Sequence, residues 1–255
     1  MLVLGVAKSG FGGGIGILAV PLFLIALPAG PALGMLLPIL IVADLFAVWQ
    51  HVQHRDSRHL RPLLFGALFG ILLGTLVLLS IRWLFQDPTA AEPIRTPELT
   101  RALNGVVGSA CLLLVLLQVY RSTGHRDLEV PRGPAVARVF GCAAGVASTL
   151  AHSAGPVISI YLLEQRLPKR ALVGTAAVFF LTVNLVKLPA YASLGLITGG
   201  TMQDALWTLP LIPVGAVLGL RLHHLVPEKP FTVLLYSGTA AAAVYLIWKA
   251  SIGSG

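Results

Sequence analysis

Eight apolar runs, at about 1–27, 31–50, 62–84, 101–120, 135–164, 171–193, 205–222 and 231–249, dominate this chain of 255 residues. Most of them reach or approach the roughly 20 residues that cross a hydrocarbon core. Such runs have to satisfy their backbone polar groups internally, which helices do and open strands do not. Only 11% of the residues are charged and 56% are hydrophobic, whereas a soluble domain carries about 25% charged residues. The expected class is therefore an all-α polytopic membrane protein. Its net charge of +8 is distributed over short loops between the runs, with no basic patch interleaved with aromatics. That pattern excludes nucleic acid as a partner and reads as a topology signal.

Two of the runs are interrupted by polar and small residues. Lys8-Ser9-Gly10-Phe11-Gly12-Gly13-Gly14 breaks the first, and His152-Ser153-Ala154-Gly155-Pro156 breaks the fifth. A break at membrane depth is tolerated only where protein or a water-filled cavity surrounds it. The two breaks are therefore the best candidates for a site.

An internal repeat connects them. An offset of 140 residues matches Gly5-Val6-Ala7 to Gly145-Val146-Ala147 and Leu27-Pro28 to Leu167-Pro168. The same offset places Gly34 on Gly174, Leu45 on Leu185, Asp44 on Asn184 and Ser9 on Thr149. The chain divides into a first repeat at 1–120, a cytoplasmic linker at 121–134 and a second repeat at 135–255, all within one integral membrane domain.

Loop charge decides between two topologies. With eight full crossings, the basic residues fall almost evenly on both sides. With 1–27 and 135–164 as re-entrant hairpins, loops 51–61, 121–138, 166–170 and 221–229 share the cytoplasmic side and hold twelve of the eighteen Lys and Arg residues. The positive-inside rule favours the second arrangement. Each repeat then has one broken hairpin and three transmembrane helices. An odd number of crossings inverts the halves, the plan of many secondary transporters. Eight full transmembrane helices are the alternative.

The run GVAKSGFGGGIGILAVPLF at 5–23 resembles the glycine-rich N-terminal motif of the sulfite exporter TauE/SafE family. ADLFAVW at 43–49 resembles the family's second helix. GVASTLAHSAGPVISIYLLEQRLPK at 145–169 and GTAAVFFLTVNLVKLPAY at 174–191 resemble the start of its second repeat. The chain departs from the pattern at Ala154, where relatives often carry another glycine. The resemblance implies an integral membrane transporter of small sulfur-containing anions such as sulfite, sulfonates or organosulfur acids. It also implies a bacterial inner membrane and no cofactor, and a homo-oligomer is compatible with it.

A small anion in a bilayer needs its charge compensated. N–H groups at the start of a half-helix supply this, and glycine permits close approach. Gly12, Gly13 and Gly14 fit that use ahead of 15–27, as do Ser153 and Gly155 ahead of 156–164. Lys8 and Lys187 are intramembrane cations that could attract an anion, and Asn184 shares a helix face with Lys187. Ser9 and Thr149 offer hydroxyls at equivalent repeat positions. Asp44 and His152 are candidates for proton or ion coupling, and His152 also for binding the anion.

Other polar residues read more simply. Cys111 and Cys142 are small core residues; His51, His54 and His59 belong to a solvated basic loop with no metal set, as does His223-His224. No cleavable leader and no loop long enough for a soluble domain stand out. No nucleotide-binding motif argues for an ATP-driven pump. The competing functions are a passive anion channel and, far weaker, an intramembrane serine hydrolase using Ser9 or Ser153 with His152.

Overall fold

The computed structural model describes residues 20, 23–85, 96–122, 131–210, 214 and 228–252. Among them the architecture is helical throughout. The helices are α1 (Ala29–His51), α2 (Ser57–Phe85), α3 (Pro97–Ser122), α4 (Pro134–Ala151), α5 (Ala154–Glu164), α6 (Lys169–Ser193), α7 (Gly199–Thr208) and α8 (Glu228–Ser251). Five of the described helices are long and apolar enough to cross a membrane: α1 (extended by the 3₁₀ turn Val52–His54), α2, α3, α4 and α6. The protein is an all-α polytopic membrane protein.

Small residues set the closest helix pair. Along α2, Gly66, Gly70 and Gly74 lie against Arg138, Cys142 and Thr149 of α4, while Gly141 and Gly145 lie against Leu63 and Ala67 of α2. A Cβ at Gly66 or Gly70 would run into the carbonyl oxygens of Arg138 and Cys142. Lipid tails are as apolar as leucine, so membrane helices associate through such close backbone packing rather than by expelling water. Sequence numbers rise together along the two helices, so α2 and α4 run parallel.

The expected run 135–164 is two helices, α4 and α5, joined at His152-Ser153. His152 has φ 48° and ψ 28°, left-handed values that end α4. A non-glycine residue there costs on the order of 1–2 kcal/mol. Beyond it the chain turns back. The rings of Phe140 and Tyr161 are 5.5 Å apart, and Tyr161 lies 6.2 Å from His59 at the start of α2. Arg121 at the end of α3 pairs with Glu164 at 2.9 Å. The last turn of α5 is therefore level with the beginning of α4, and the two helices form a hairpin that enters and leaves on one face. With 18 residues, α4 rises about 27 Å. Its tip reaches the level of Gly74, the middle of the apolar run 62–84.

That common face also holds the turn after α1. Gly174 of α6 packs against His51 and Arg55, and the Asp56 N–H donates to Thr175 Oγ1 at 2.9 Å. Asp56 caps α2, accepting from the N–H groups of Arg58 at 2.8 Å and His59 at 3.2 Å. At the opposite face Arg82, near the end of α2, donates to the Ser193 carbonyl at 2.9 Å. Thus α6 crosses fully.

The halves meet as antiparallel pairs of equivalent helices. Gly34 of α1 lies against Leu196, just past α6, and Gly174 of α6 lies against residues just past α1. Likewise α3 pairs with α8, with Gly105 beside Ala250 and Gly108 beside Ala243, Leu246 and Ile247.

One expected segment shifts. The run placed at 205–222 begins as a helix at Gly199, because Thr198 and Thr201 form a capping box: Thr198 Oγ1 accepts from the Thr201 N–H, and Thr201 Oγ1 accepts from the Thr198 N–H. That signal outweighs the two glycines at 199–200. A turn follows at Leu209-Pro210, where proline lacks the N–H that would continue the helix.

Candidate functional site

The break in the second half gathers most of the described candidates around one ammonium. Lys187 is fully buried. Its Nζ donates to Ser148 O at 3.0 Å, to Ser148 Oγ at 2.8 Å and to His152 Nδ1 at 3.1 Å. Three donors meet three acceptors, so every ammonium proton is engaged. Because Nδ1 of His152 accepts, its Nε2 carries the ring proton and donates to Leu33 O at 3.1 Å. This links the hairpin tip to α1. Two positive charges 3.1 Å apart would repel strongly, so the pair holds at most one positive charge.

Helix geometry explains the convergence. Ser148 lies one turn before His152 on α4, and Tyr191 lies one turn after Lys187 on α6. The Tyr191 hydroxyl donates to Thr149 O at 2.6 Å and lies 3.5 Å from His152 Nε2. The Lys187 ammonium sits 5.7 Å from the Tyr191 ring centre. Ser148 and Tyr191 are absent from the sequence-based candidates, and only their helical spacing from His152 and Lys187 marks them.

Asn184, one turn before Lys187, donates to Asp44 Oδ2 at 2.6 Å. Both residues are buried, so Asn184 holds the Asp44 carboxyl one helical turn of α6 from Lys187.

The hydroxyls predicted to face an anion are turned inward. Thr149 Oγ1 donates to Gly145 O at 2.8 Å, within its own helix. Ser153 Oγ donates to Ala151 O at 2.7 Å and lies 3.8 Å from Cys111 Sγ. Ser153 consequently gives α5 no side-chain cap. Gly155 lies inside the first turn of α5 rather than ahead of it, and Pro156 follows it. The opening N–H groups of a helix have no acceptor within it, so the positive end of α5 points at the tip. Lys8, Ser9, Gly12, Gly13 and Gly14 lie outside the described residues.

Among the described residues, Ser153 and His152 do not form the pairing that a serine hydrolase needs. The Ser153 hydroxyl faces a backbone carbonyl, and the His152 ring is held by Lys187 and Leu33.

The sequence profile of the family described as Sulfite exporter TauE/SafE matches residues 1–246. The chain belongs to the TauE/SafE family. No curated protein and no solved structure matches it. TauE/SafE proteins are membrane transporters rather than enzymes, which agrees with a bundle whose polar groups lie at a helix break. In this TauE/SafE chain the family-like stretch 145–169 covers the hairpin tip and α5, and 174–191 lies in the helix that carries Asn184, Lys187 and Tyr191.

Proposed function

We propose that this TauE/SafE protein is a secondary transporter of small sulfur-containing anions, working by alternating access around the tip of the α4–α5 hairpin. The observation that carries the reading is the fully buried Lys187 ammonium bonded to both Ser148 and His152 of that tip. An intramembrane cation is costly and marks a transport pathway far more often than a structural filler. Its three acceptors all belong to residues 148 and 152, so an arriving oxyanion can replace them one for one.

In this reading the anion exchanges with Ser148 Oγ and His152 Nδ1 on the ammonium. The open first turn of α5 supplies N–H donors to its other oxygens. Once displaced, His152 is free to accept a proton, which makes proton coupling natural. Asp44 balances Lys187 when no substrate is present. The repeat supports a second half-site at Lys8–Gly14, entering from the opposite face, with the two halves 1–120 and 135–255 rocking about it.

The deciding experiment is flux into proteoliposomes with sulfite, taurine, sulfoacetate and thiosulfate, with and without a pH gradient. Saturable, gradient-dependent flux supports a carrier, and linear flux supports the passive channel. Lys187→Ala and His152→Ala should each lower transport at least tenfold while the protein still reaches the membrane. Normal flux in both variants would remove the site assignment.

A further inference from the structure

We infer that the protein carries a headgroup site for an anionic phospholipid on its basic face, at the lipid-exposed flank of the α2–α4 seam. A groove of about 700 Å³ opens there, lined by Arg58, Arg61, Pro62 and Phe65 of α2 and by Arg138 of α4. Among the described residues, no carboxylate lines it. The Arg138 guanidinium stands 5.5 Å from the centre of the Phe65 ring, and that ring is 66% exposed. The groove's cationic wall is thus held in place by a stacking contact.

Its position selects the ligand. On α2 the residues Leu63, Gly66, Ala67 and Gly70 form the face packed against α4. Arg58, Arg61 and Phe65 lie on another face, followed by Leu68, Leu72 and Leu76 at helical spacing, each about half exposed. That face is arginine at the basic end and bare hydrocarbon beyond it. A lipid has the same order, a phosphate followed by acyl chains. Guanidinium forks match phosphate oxygens in geometry and charge. Basic pockets between transmembrane helices at the cytoplasmic side suit such headgroups. A soluble anion would use the arginines and leave the leucine track unexplained. Ser148, the partner of Lys187, lies ten residues beyond Arg138 on α4, about 15 Å along the helix axis, which separates this groove from the transport site.

The test uses the full chain in detergent. Binding of phosphatidylglycerol and phosphatidylcholine is followed by native mass spectrometry and by the thermal unfolding temperature. Wild type should retain phosphatidylglycerol preferentially and unfold later with it. The triple variant Arg58→Gln, Arg61→Gln, Arg138→Gln should lose roughly fivefold in affinity per arginine, about a hundredfold in all. All three side chains are exposed, so its unfolding temperature in phosphatidylcholine should match wild type. A charge-matched control, Arg166→Gln just before α6 with Lys169→Gln and Arg170→Gln in its first turn, should keep the preference. Equal loss in the control would reduce the effect to general surface charge and overturn the site. So would the absence of any preference in wild type, or a stabilisation reproduced in full by inorganic phosphate without lipid.

Discussion

Asp44 and Asn184 are 140 residues apart in sequence and joined by a hydrogen bond of 2.6 Å. Their separation equals the interval of the internal repeat, so two residues at equivalent positions meet each other. Equivalent residues touch only at an axis that exchanges the halves. The reciprocal packing of Gly34 beyond α6 and Gly174 beyond α1 obeys the same relation. The Asp44–Asn184 contact therefore marks where α1 and α6 cross, and Lys187 lies one turn further along α6.

The first prediction concerns charge balance at this crossing. Asp44→Asn keeps an oxygen to accept from Asn184, so it removes charge and leaves the hydrogen bond. Lys187→Met removes the cation and keeps much of its volume. Each single change leaves one buried charge uncompensated, at a cost of about 3 kcal/mol or more. The double variant leaves neither. Thermal unfolding in detergent should show the double variant more stable than the Lys187→Met single, with coupling of about 1–3 kcal/mol. Strict additivity would mean that the two charges act independently.

Much of this arrangement was legible in the sequence, and the limits have physical causes. The constant offset predicts that Asp44 and Asn184 hold equivalent places, and the fold brings them together; loop charge predicts that 135–164 turns back, as α4 and α5 do. Lysine and histidine stand out in apolar runs, so Lys187 and His152 were found. Ser148 and Tyr191 were not, because serine and tyrosine are ordinary in membrane helices and gain meaning only from the neighbour one turn away. The hydroxyls of Thr149 and Ser153 were read as outward donors, yet both bond to nearby carbonyls. A carbonyl close by in the sequence competes well for a lone hydroxyl. Hydropathy starts the seventh apolar run at 205, yet α7 starts at Gly199, because the polar Thr198–Thr201 capping box opens the helix ahead of its apolar part.

The second prediction follows from the cap of α2. Partial burial pushes the Asp56 carboxyl up, but the hydrogen bonds from His59 and Arg58 and the nearby His59 ring outweigh it and hold it below the usual carboxylate range. A carboxyl with a lowered folded-state pKa stabilises the fold above its unfolded value, near 3.9. That contribution fades as pH falls through the folded value. Asp56→Ala should therefore cost about 1 kcal/mol at neutral pH. It should also flatten the loss of stability below pH 4, read as the difference between wild-type and variant unfolding temperatures. Asp56→Asn, which can still cap, should cost less at neutral pH while flattening the acid limb equally.

The third prediction tests the hairpin directly. If α4 and α5 enter and leave on one face, Arg132 and Gln165 share a side of the membrane, and Ser193 lies on the other. In a Cys111→Ala, Cys142→Ala background, cysteines placed singly at these three positions can be probed with a membrane-impermeant maleimide. In inverted vesicles Arg132→Cys and Gln165→Cys should label, while Ser193→Cys should label only in right-side-out preparations. The Arg121–Glu164 ion pair gives a second readout of the same geometry, because it fastens the end of α5 to the end of α3. Exchanging it as Arg121→Glu, Glu164→Arg should restore whatever either single change loses in stability. Labelling of Gln165→Cys from the same side as Ser193→Cys would make α5 part of a full crossing, and the break at His152 would then be a kink in a continuous path rather than the tip of a hairpin.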